Sequence, residues 1–123
     1  MAESDALRLW LSALSELGEG DVRVFRFRRG KARCEGFVLR YRGVLCAYEN
    51  RCPHWGIDLD LGDERFYDAP SERIYCKTHG ATFLPYSGEC DTGPCRGERL
   101  DRLELELAGH DAWVIIPDAQ LFV

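Results

Sequence analysis

Apolar and polar residues alternate over much of the chain from about residue 22 onward, a pattern typical of β-strands with one buried face. Residues 37–42 alternate in this way, and Gly43 then allows a tight turn into residues 44–48. This arrangement predicts a hairpin with one face in the core and the other toward solvent.

A second hairpin is predicted toward the end of the chain. Leucines alternate with glutamates over residues 103–107, Gly109 lies in the following loop, and residues 113–116 form the return strand. Pro117 ends that strand because proline cannot donate a ladder hydrogen bond. Residues 7–17 are ambiguous: their leucines fit a helical stripe, but glycines follow at once, which leaves a strand or a single helical turn.

Composition limits the class of protein. The 123 residues, 46% hydrophobic and 30% charged, indicate one folded domain rather than a disordered chain. The net charge of -5 argues against a nucleic-acid partner, and no apolar run approaches the ~20 residues of a membrane span. The first residues lack the basic and apolar pattern of a secretory signal, so we expect a cytoplasmic protein without a membrane span.

Residues 50–97 differ from the rest of the chain because glycines and prolines recur there and four of the six cysteines lie within them. A loop-rich insert between regular strands is the usual place for a functional site. Without an export signal, six cysteines favour metal ligation or reactive thiols over a disulfide framework. The insert is therefore where we expect the chemistry.

Two boxes in the insert, residues 52–56 (CPHWG) and 76–80 (CKTHG), each pair a cysteine with a histidine. The candidate ligands are Cys52, His54, Cys76 and His79, and 21 residues separate the two pairs, enough to bring two loops to one centre. Sulfur and imidazole donors suit zinc or an iron–sulfur cluster and do not suit magnesium or calcium. A single tetrahedral zinc remains an alternative, although one residue between ligands is tighter than its usual spacing.

This pair of boxes resembles the signature of the Rieske [2Fe-2S] ferredoxin family. In that family the cysteines hold an inner iron and the histidines an outer, reducible iron, which would assign Cys52 and Cys76 to the first and His54 and His79 to the second. The resemblance also covers the segments around the boxes, with Gly93-Pro94-Cys95 as the proline loop over the cluster. These segments are residues 49–51, 79–83, 87–89, 93–95 and 103–116.

The resemblance implies an all-β fold and one Rieske domain over residues 1–123. An antiparallel β-sandwich base would comprise residues 1–49 and 97–123, and a loop-rich cluster-binding subdomain would comprise residues 50–96. The cofactor would be one [2Fe-2S] cluster per chain.

Three departures from the family indicate its soluble, low-potential branch. The interval between the boxes is long, and we place the extra length in a polar loop at residues 63–73. The extra cysteines of the respiratory branch are replaced by Ile57 and Thr78, and the serine that donates to a cluster sulfide is replaced by Ala81. These changes predict a potential toward the lower end of the roughly −150 to +300 mV Rieske range.

The resemblance implies an electron carrier, not itself an enzyme, between a partner of the flavin-dependent reductase class and a terminal oxygenase or other oxidoreductase. One alternative is a small electron-relay or structural subunit of a larger oxidoreductase, similar to the nitrite reductase small subunit. The other is a zinc-binding interaction module.

The remaining cysteines and the basic run receive structural interpretations. Cys34 and Cys46 lie on predicted strands, where cysteine packs as a small hydrophobe. Cys90 and Cys95 are expected to pack near the cluster loops, with a disulfide or redox role left open. The arginines and lysine of residues 26–33 are interpreted as a solvated loop rather than a docking patch.

Overall fold

The computed structural model describes residues 6–53, 56, 58–60, 62–77 and 80–122, and these residues form an all-β fold, as predicted. A single 3-10 turn at Leu14–Glu16 follows the first strand, so the ambiguous segment contains both a strand and one helical turn. No helix of the described residues is long and apolar enough to cross a membrane. The strands are β1 (Leu7–Leu11), β2 (Val22–Arg29), β3 (Ala32–Tyr41), β4 (Val44–Glu49), β5 (Tyr67–Asp68), β6 (Arg73–Tyr75), β7 (Thr82–Phe83), β8 (Cys90–Thr92), β9 (Arg102–Ala108), β10 (Asp111–Ile116) and β11 (Gln120–Leu121).

Seven strands form one antiparallel sheet in the order β1-β10-β9-β4-β3-β2-β11. Its outermost strands, β1 and β11, approach each other, so the sheet curls around its own core. Both predicted hairpins are present. Arg42 and Gly43 have φ values of +50° and +81° in the β3–β4 turn, which gives the type I′ geometry that matches strand twist.

A smaller antiparallel sheet, in the order β5-β6-β7-β8, is formed within the loop-rich insert. The prediction of a polar loop at residues 63–73 holds for most of the segment, which is loop and turn with exposed side chains, but two short strands enter it. Strand β5 and the start of β6 lie there, and Phe66 is fully buried, stacked on Phe37 at a ring-centroid distance of 4.2 Å. Phe66 anchors the segment to the large sheet together with Tyr67, whose ring contacts Tyr41 at a centroid distance of 6.1 Å.

The core lies on both sides of strands β3 and β4, so the prediction of a single buried face for this hairpin is wrong. Phe37 and Leu39 pack toward the small sheet with Ile74, whereas Val38 points into the curled large sheet. All four side chains are fully buried. The face that the alternating pattern assigned to solvent is the one that carries Val38, and the curled large sheet buries it.

The basic run is part of the large sheet rather than a loop. Arg26 and Arg29 lie on β2, where Arg26 Nε donates to Glu35 at 3.1 Å and Arg29 forms a two-point ion pair with Glu49 at 2.8 and 2.6 Å. Burial and the Glu49 hydrogen bond identify the second pair as structural, and that hydrogen bond raises the pKa of Arg29.

Candidate metal centre

The two boxes share one backbone hydrogen bond, from the glycine to the cysteine four positions before it. The Gly56 N–H donates to the Cys52 carbonyl at 2.7 Å, and the Gly80 N–H donates to the Cys76 carbonyl at 2.9 Å. Both glycines have positive φ, +70° and +68°, which strains residues with a Cβ. Cysteine and glycine are thus four residues apart in each box, even though the histidine occupies a different position in each.

The turns place their cysteines in the interior. Cys52 and Cys76 are fully buried and belong to the same core, the one between the two sheets. The histidines predicted to complete the ligand set, His54 and His79, lie outside the described residues. Trp55, Ile57 and Thr78, the other positions that the sequence interpretation used, lie outside them as well.

Ala81 follows the second box and is fully buried, and its carbonyl accepts the Cys76 N–H at 2.8 Å. Gly93, in the predicted proline loop, lies directly against it: a Cβ at position 93 would be 2.8 Å from the Ala81 Cα. The predicted loop therefore lies on the second box, at a separation that only glycine permits.

Cys95 in that loop is fully buried and shares the core with Cys52 and Cys76. Burial raises the pKa of the Cys95 thiol, and a hydrogen bond with Cys90 raises it further. The Cys90 thiol in turn donates to the Thr92 carbonyl at 3.3 Å. All six cysteines of the chain are described, and none forms a disulfide in this structure. The pair packs beside the boxes as hydrogen-bonded thiols.

A polar network beneath the first box was missed by the sequence interpretation. Asn50 and Asp60 are buried, with relative exposures of 4% and 1%, and the Asn50 amide nitrogen donates to Asp60 at 3.0 Å and to Glu35 at 3.2 Å. One carboxylate oxygen of each of Glu35, Asp58 and Asp60 lies within 4.8 Å of the others. Burial raises the pKa of Asp58, and the charges of Asp60 and Glu35 add to that rise. Asn50, Asp58 and Asp60 lie in the insert that the sequence had singled out, but no motif there pointed to this network.

The residues present fit a metal–sulfur group. Two thiol side chains reach one buried core, each from a box whose glycine N–H donates to the cysteine carbonyl. Thiolate ligands in a buried site with nearby N–H donors are the protein environment that iron–sulfur clusters use. The three carboxylates below are hard oxygen donors and do not suit that group.

Comparisons with known proteins agree with this chemistry. The sequence model of the Rieske [2Fe-2S] domain matches residues 9–114. No curated protein sequence matches the chain significantly.

Solved structures share the fold. The ferredoxin of carbazole 1,9a-dioxygenase from Nocardioides aromaticivorans IC177 has a TM-score of 0.63 at 23% identity, over 87% of this chain and 95% of that one. The terminal oxygenase of carbazole 1,9a-dioxygenase from Novosphingobium sp. KA1 has a TM-score of 0.65 at 18% identity, over 96% of this chain but 31% of that one. A chain in a complex of reduced oxygenase and oxidized ferredoxin in carbazole 1,9a-dioxygenase has a TM-score of 0.63 at 24% identity, over 96% of this chain and 97% of that one.

The family match covers most of the chain, and a zinc-binding module is therefore set aside. The matched turns, the buried thiols and the fold all agree with it. The chain belongs to the Rieske [2Fe-2S] domain family, and its cofactor is the [2Fe-2S] cluster of that family.

Proposed function

We propose that this protein carries single electrons from a flavin-dependent reductase to a terminal oxygenase or related oxidoreductase. The observation that carries the proposal is the pair of matched turns at Cys52 and Cys76, which presents two buried thiols in a chain of the Rieske family. The likeness to a ferredoxin of carbazole 1,9a-dioxygenase supports the oxygenase as the class of acceptor.

In this proposal, Cys52 and Cys76 bind the inner iron and His54 and His79 bind the outer iron. Residues 50–96 form the cluster-binding subdomain, and residues 1–49 and 97–123 form the base. The four-stranded sheet formed within the insert supports that division. The cluster supplies a one-electron redox couple, and the surrounding protein excludes water from the thiolates and sets the potential.

We further propose that the protein works in the cytoplasm and at the low end of the Rieske potential range. Ala81 supports the second point, because its side chain offers no hydroxyl to a cluster sulfide and is enclosed by Gly93. Each hydrogen bond that is missing from a sulfide disfavours the more negative reduced state.

The ligand assignment is tested by metal analysis of the purified protein and of cysteine variants. We expect about two irons and two acid-labile sulfides per chain, and a low average g-value in the electron paramagnetic resonance (EPR) spectrum of the reduced protein. Cys52→Ser and Cys76→Ser should lose the cluster. Cys46→Ala is the matched control, since Cys46 is equally buried in the same core but lies on β4. Stoichiometric zinc without visible absorption, or loss of the cluster in a folded Cys46→Ala protein, would contradict the assignment.

Electron carriage is tested by adding the protein to a reductase and a ring-hydroxylating oxygenase from which the native ferredoxin has been removed. We expect product formation that depends on the added protein and is absent with Cys52→Ser. Co-purification of a large catalytic chain from the native source, with no transfer to a separate oxygenase, would favour the subunit of a larger oxidoreductase instead.

A further inference from the structure

Asn50 occupies the junction between the large sheet and the first box. It follows β4 directly, and its backbone N–H donates to the Glu35 carbonyl on β3 at 2.8 Å. The residue is 4% exposed and lies two positions before Cys52. The sheet thereby fixes the Asn50 backbone, and the side chain can bind the loop that contains the first box.

The side chain holds the two ends of that loop together. The Asn50 amide oxygen accepts the Leu59 N–H at 2.8 Å, and the amide nitrogen donates to Asp60 at 3.0 Å and to Glu35 at 3.2 Å. The carboxylates only accept and the backbone N–H only donates, so the orientation of the amide is fixed. The first box, residues 52–56, therefore lies in a loop whose neck is closed by one side chain.

The same link continues to the second box. The Leu59 carbonyl accepts the N–H of Lys77, the residue after Cys76, at 3.0 Å. Asp60 is also held from its far side, where its second oxygen accepts the Glu64 N–H at 2.9 Å. A continuous chain of hydrogen bonds thus runs from Asn50 through the Leu59 peptide to the backbone beside the second candidate cysteine.

We propose that Asn50 is a positioning residue of the cluster site: its amide closes the neck of the first box and, through the Leu59 peptide, fixes the first box against the second. The proposal rests on the proposed function only in taking these two boxes as the loops that hold the cluster. An amide at position 50 satisfies all three contacts at once, because the site offers one N–H donor and two carboxylate acceptors. Aspartate has the same shape but would add a carboxylate beside Glu35 and Asp60.

The test compares Asn50→Ala with Glu49→Gln. Glu49 is the adjacent residue and is also buried, but its carboxylate binds Arg29 and not the residue 58–60 segment. Both variants should lose stability, since each breaks buried polar contacts. Only Asn50→Ala should break the hydrogen-bonded link to the second box. The comparison therefore separates the loss of positioning from the loss of stability.

Two measurements report on positioning. The first is hydrogen exchange at the Lys77 amide, whose acceptor is the Leu59 carbonyl and not Asn50. We expect this exchange to become about tenfold faster or more in Asn50→Ala, relative to the exchange of amides in the β3–β4 pair. Loss of one buried hydrogen bond changes an opening equilibrium by roughly that factor. The second is the g-values and midpoint potential of the reduced cluster, which should move in Asn50→Ala and stay at wild-type values in Glu49→Gln.

Equal stability losses with wild-type Lys77 exchange and g-values in both variants would overturn the proposal. If Asn50→Ala does not fold, Asn50→Asp and the exchanged pair Asn50→Asp/Asp60→Asn replace it. The exchanged pair restores an amide donor opposite a carboxylate acceptor between positions 50 and 60, and it keeps an acceptor for the Leu59 N–H. Recovery of Lys77 protection in this variant supports the proposal. A stable exchanged pair in which the Lys77 amide stays unprotected overturns it. A wild-type protein without an iron–sulfur cluster would contradict the proposed function, whereas Lys77 exchange would still decide the role of Asn50.

Discussion

Gly93 lies so close to Ala81 that a Cβ on Gly93 would be 2.8 Å from the Ala81 Cα and 3.0 Å from its Cβ. Real Cβ atoms do not tolerate the first of these distances, so an added methyl group must push the proline loop away from the second box. Gly93 also has a φ of +109°, which strains any residue with a Cβ.

Gly93→Ala should therefore lower the free energy of unfolding by more than backbone strain alone. The control is Gly97→Ala, since Gly97 has a φ of +95° and a Cβ added there would meet nothing within 4 Å. We expect the free energy of unfolding to fall by about 1–2 kcal/mol in Gly97→Ala and by at least about 1 kcal/mol more in Gly93→Ala, as measured by chemical denaturation. Equal stability losses in the two variants would show that the proline loop moves away from Ala81 without a further loss of stability.

The sequence predicted two hairpins and the two boxes because each leaves a local signal. Alternation identified the hairpins, and the cysteine, histidine and glycine residues of each box are close in the chain. The second buried face of β3 has a weaker signal, since Phe37, Val38 and Leu39 are consecutive apolar residues. Alternation cannot distinguish water from a second packed layer, and that face was missed.

The polar link from Asn50 to Lys77 had no such signal. Its members are up to 27 positions apart, and they meet only because the small sheet folds back over β3 and β4. The β5 strand was missed for a related reason: two residues are too few for a detectable alternation, and the aromatic residues Phe66 and Tyr67 that anchor this segment form no periodic pattern.

Ala81→Ser should raise the midpoint potential. A hydroxyl at this position can donate to a cluster sulfide, and a hydrogen bond to sulfur stabilises the reduced state. A charge-assisted hydrogen bond of about 1.5–3 kcal/mol corresponds to roughly 60–130 mV for one electron. Voltammetry of both proteins at the same fixed pH measures the shift.

Ala47→Ser is the control for this change, because Ala47 is a buried alanine of β4 in the other core. It should lower stability and leave the potential unchanged. An unchanged potential in Ala81→Ser with a normal EPR spectrum would show that position 81 does not face the cluster.

Cys95→Ala should retain the cluster. Cys95 is as buried as Cys52 and shares its core, but its thiol hydrogen-bonds with Cys90, which is consistent with packing rather than ligation. We expect wild-type iron and sulfide content and a stability loss of about 1–2 kcal/mol from the small cavity. Cluster loss in a folded Cys95→Ala protein would mean that a third cysteine belongs to the ligand set.

Asp91→Asn should destabilise the small sheet in a pH-dependent way. Asp91 on β8 accepts the Thr82 hydroxyl of β7 at 2.5 Å and the Arg73 Nε of β6 at 2.9 Å, so its carboxylate joins three strands. The Thr82 hydrogen bond, and after it the Arg73 guanidinium, lower the pKa of Asp91 below its usual value.

The sign of the pH effect follows from the lowered pKa. The folded state binds the proton of Asp91 more weakly than the unfolded chain, so the carboxylate contributes stability above the unfolded pKa of about 3.9, and that contribution is lost as the pH falls through the folded value. The side chain is about one-third exposed, and solvent screening limits the effect at pH 7 to about 1 kcal/mol.

Urea unfolding of the wild type and of Asp91→Asn at pH 7 and at a series of pH values below 4 measures this contribution. The difference between their free energies of unfolding should shrink with acidification. Glu104→Gln, an exposed change on β9, should show little difference at any pH. A difference for Asp91→Asn that persists unchanged at the lowest pH would show that shape, rather than charge, is what the strands require at this position.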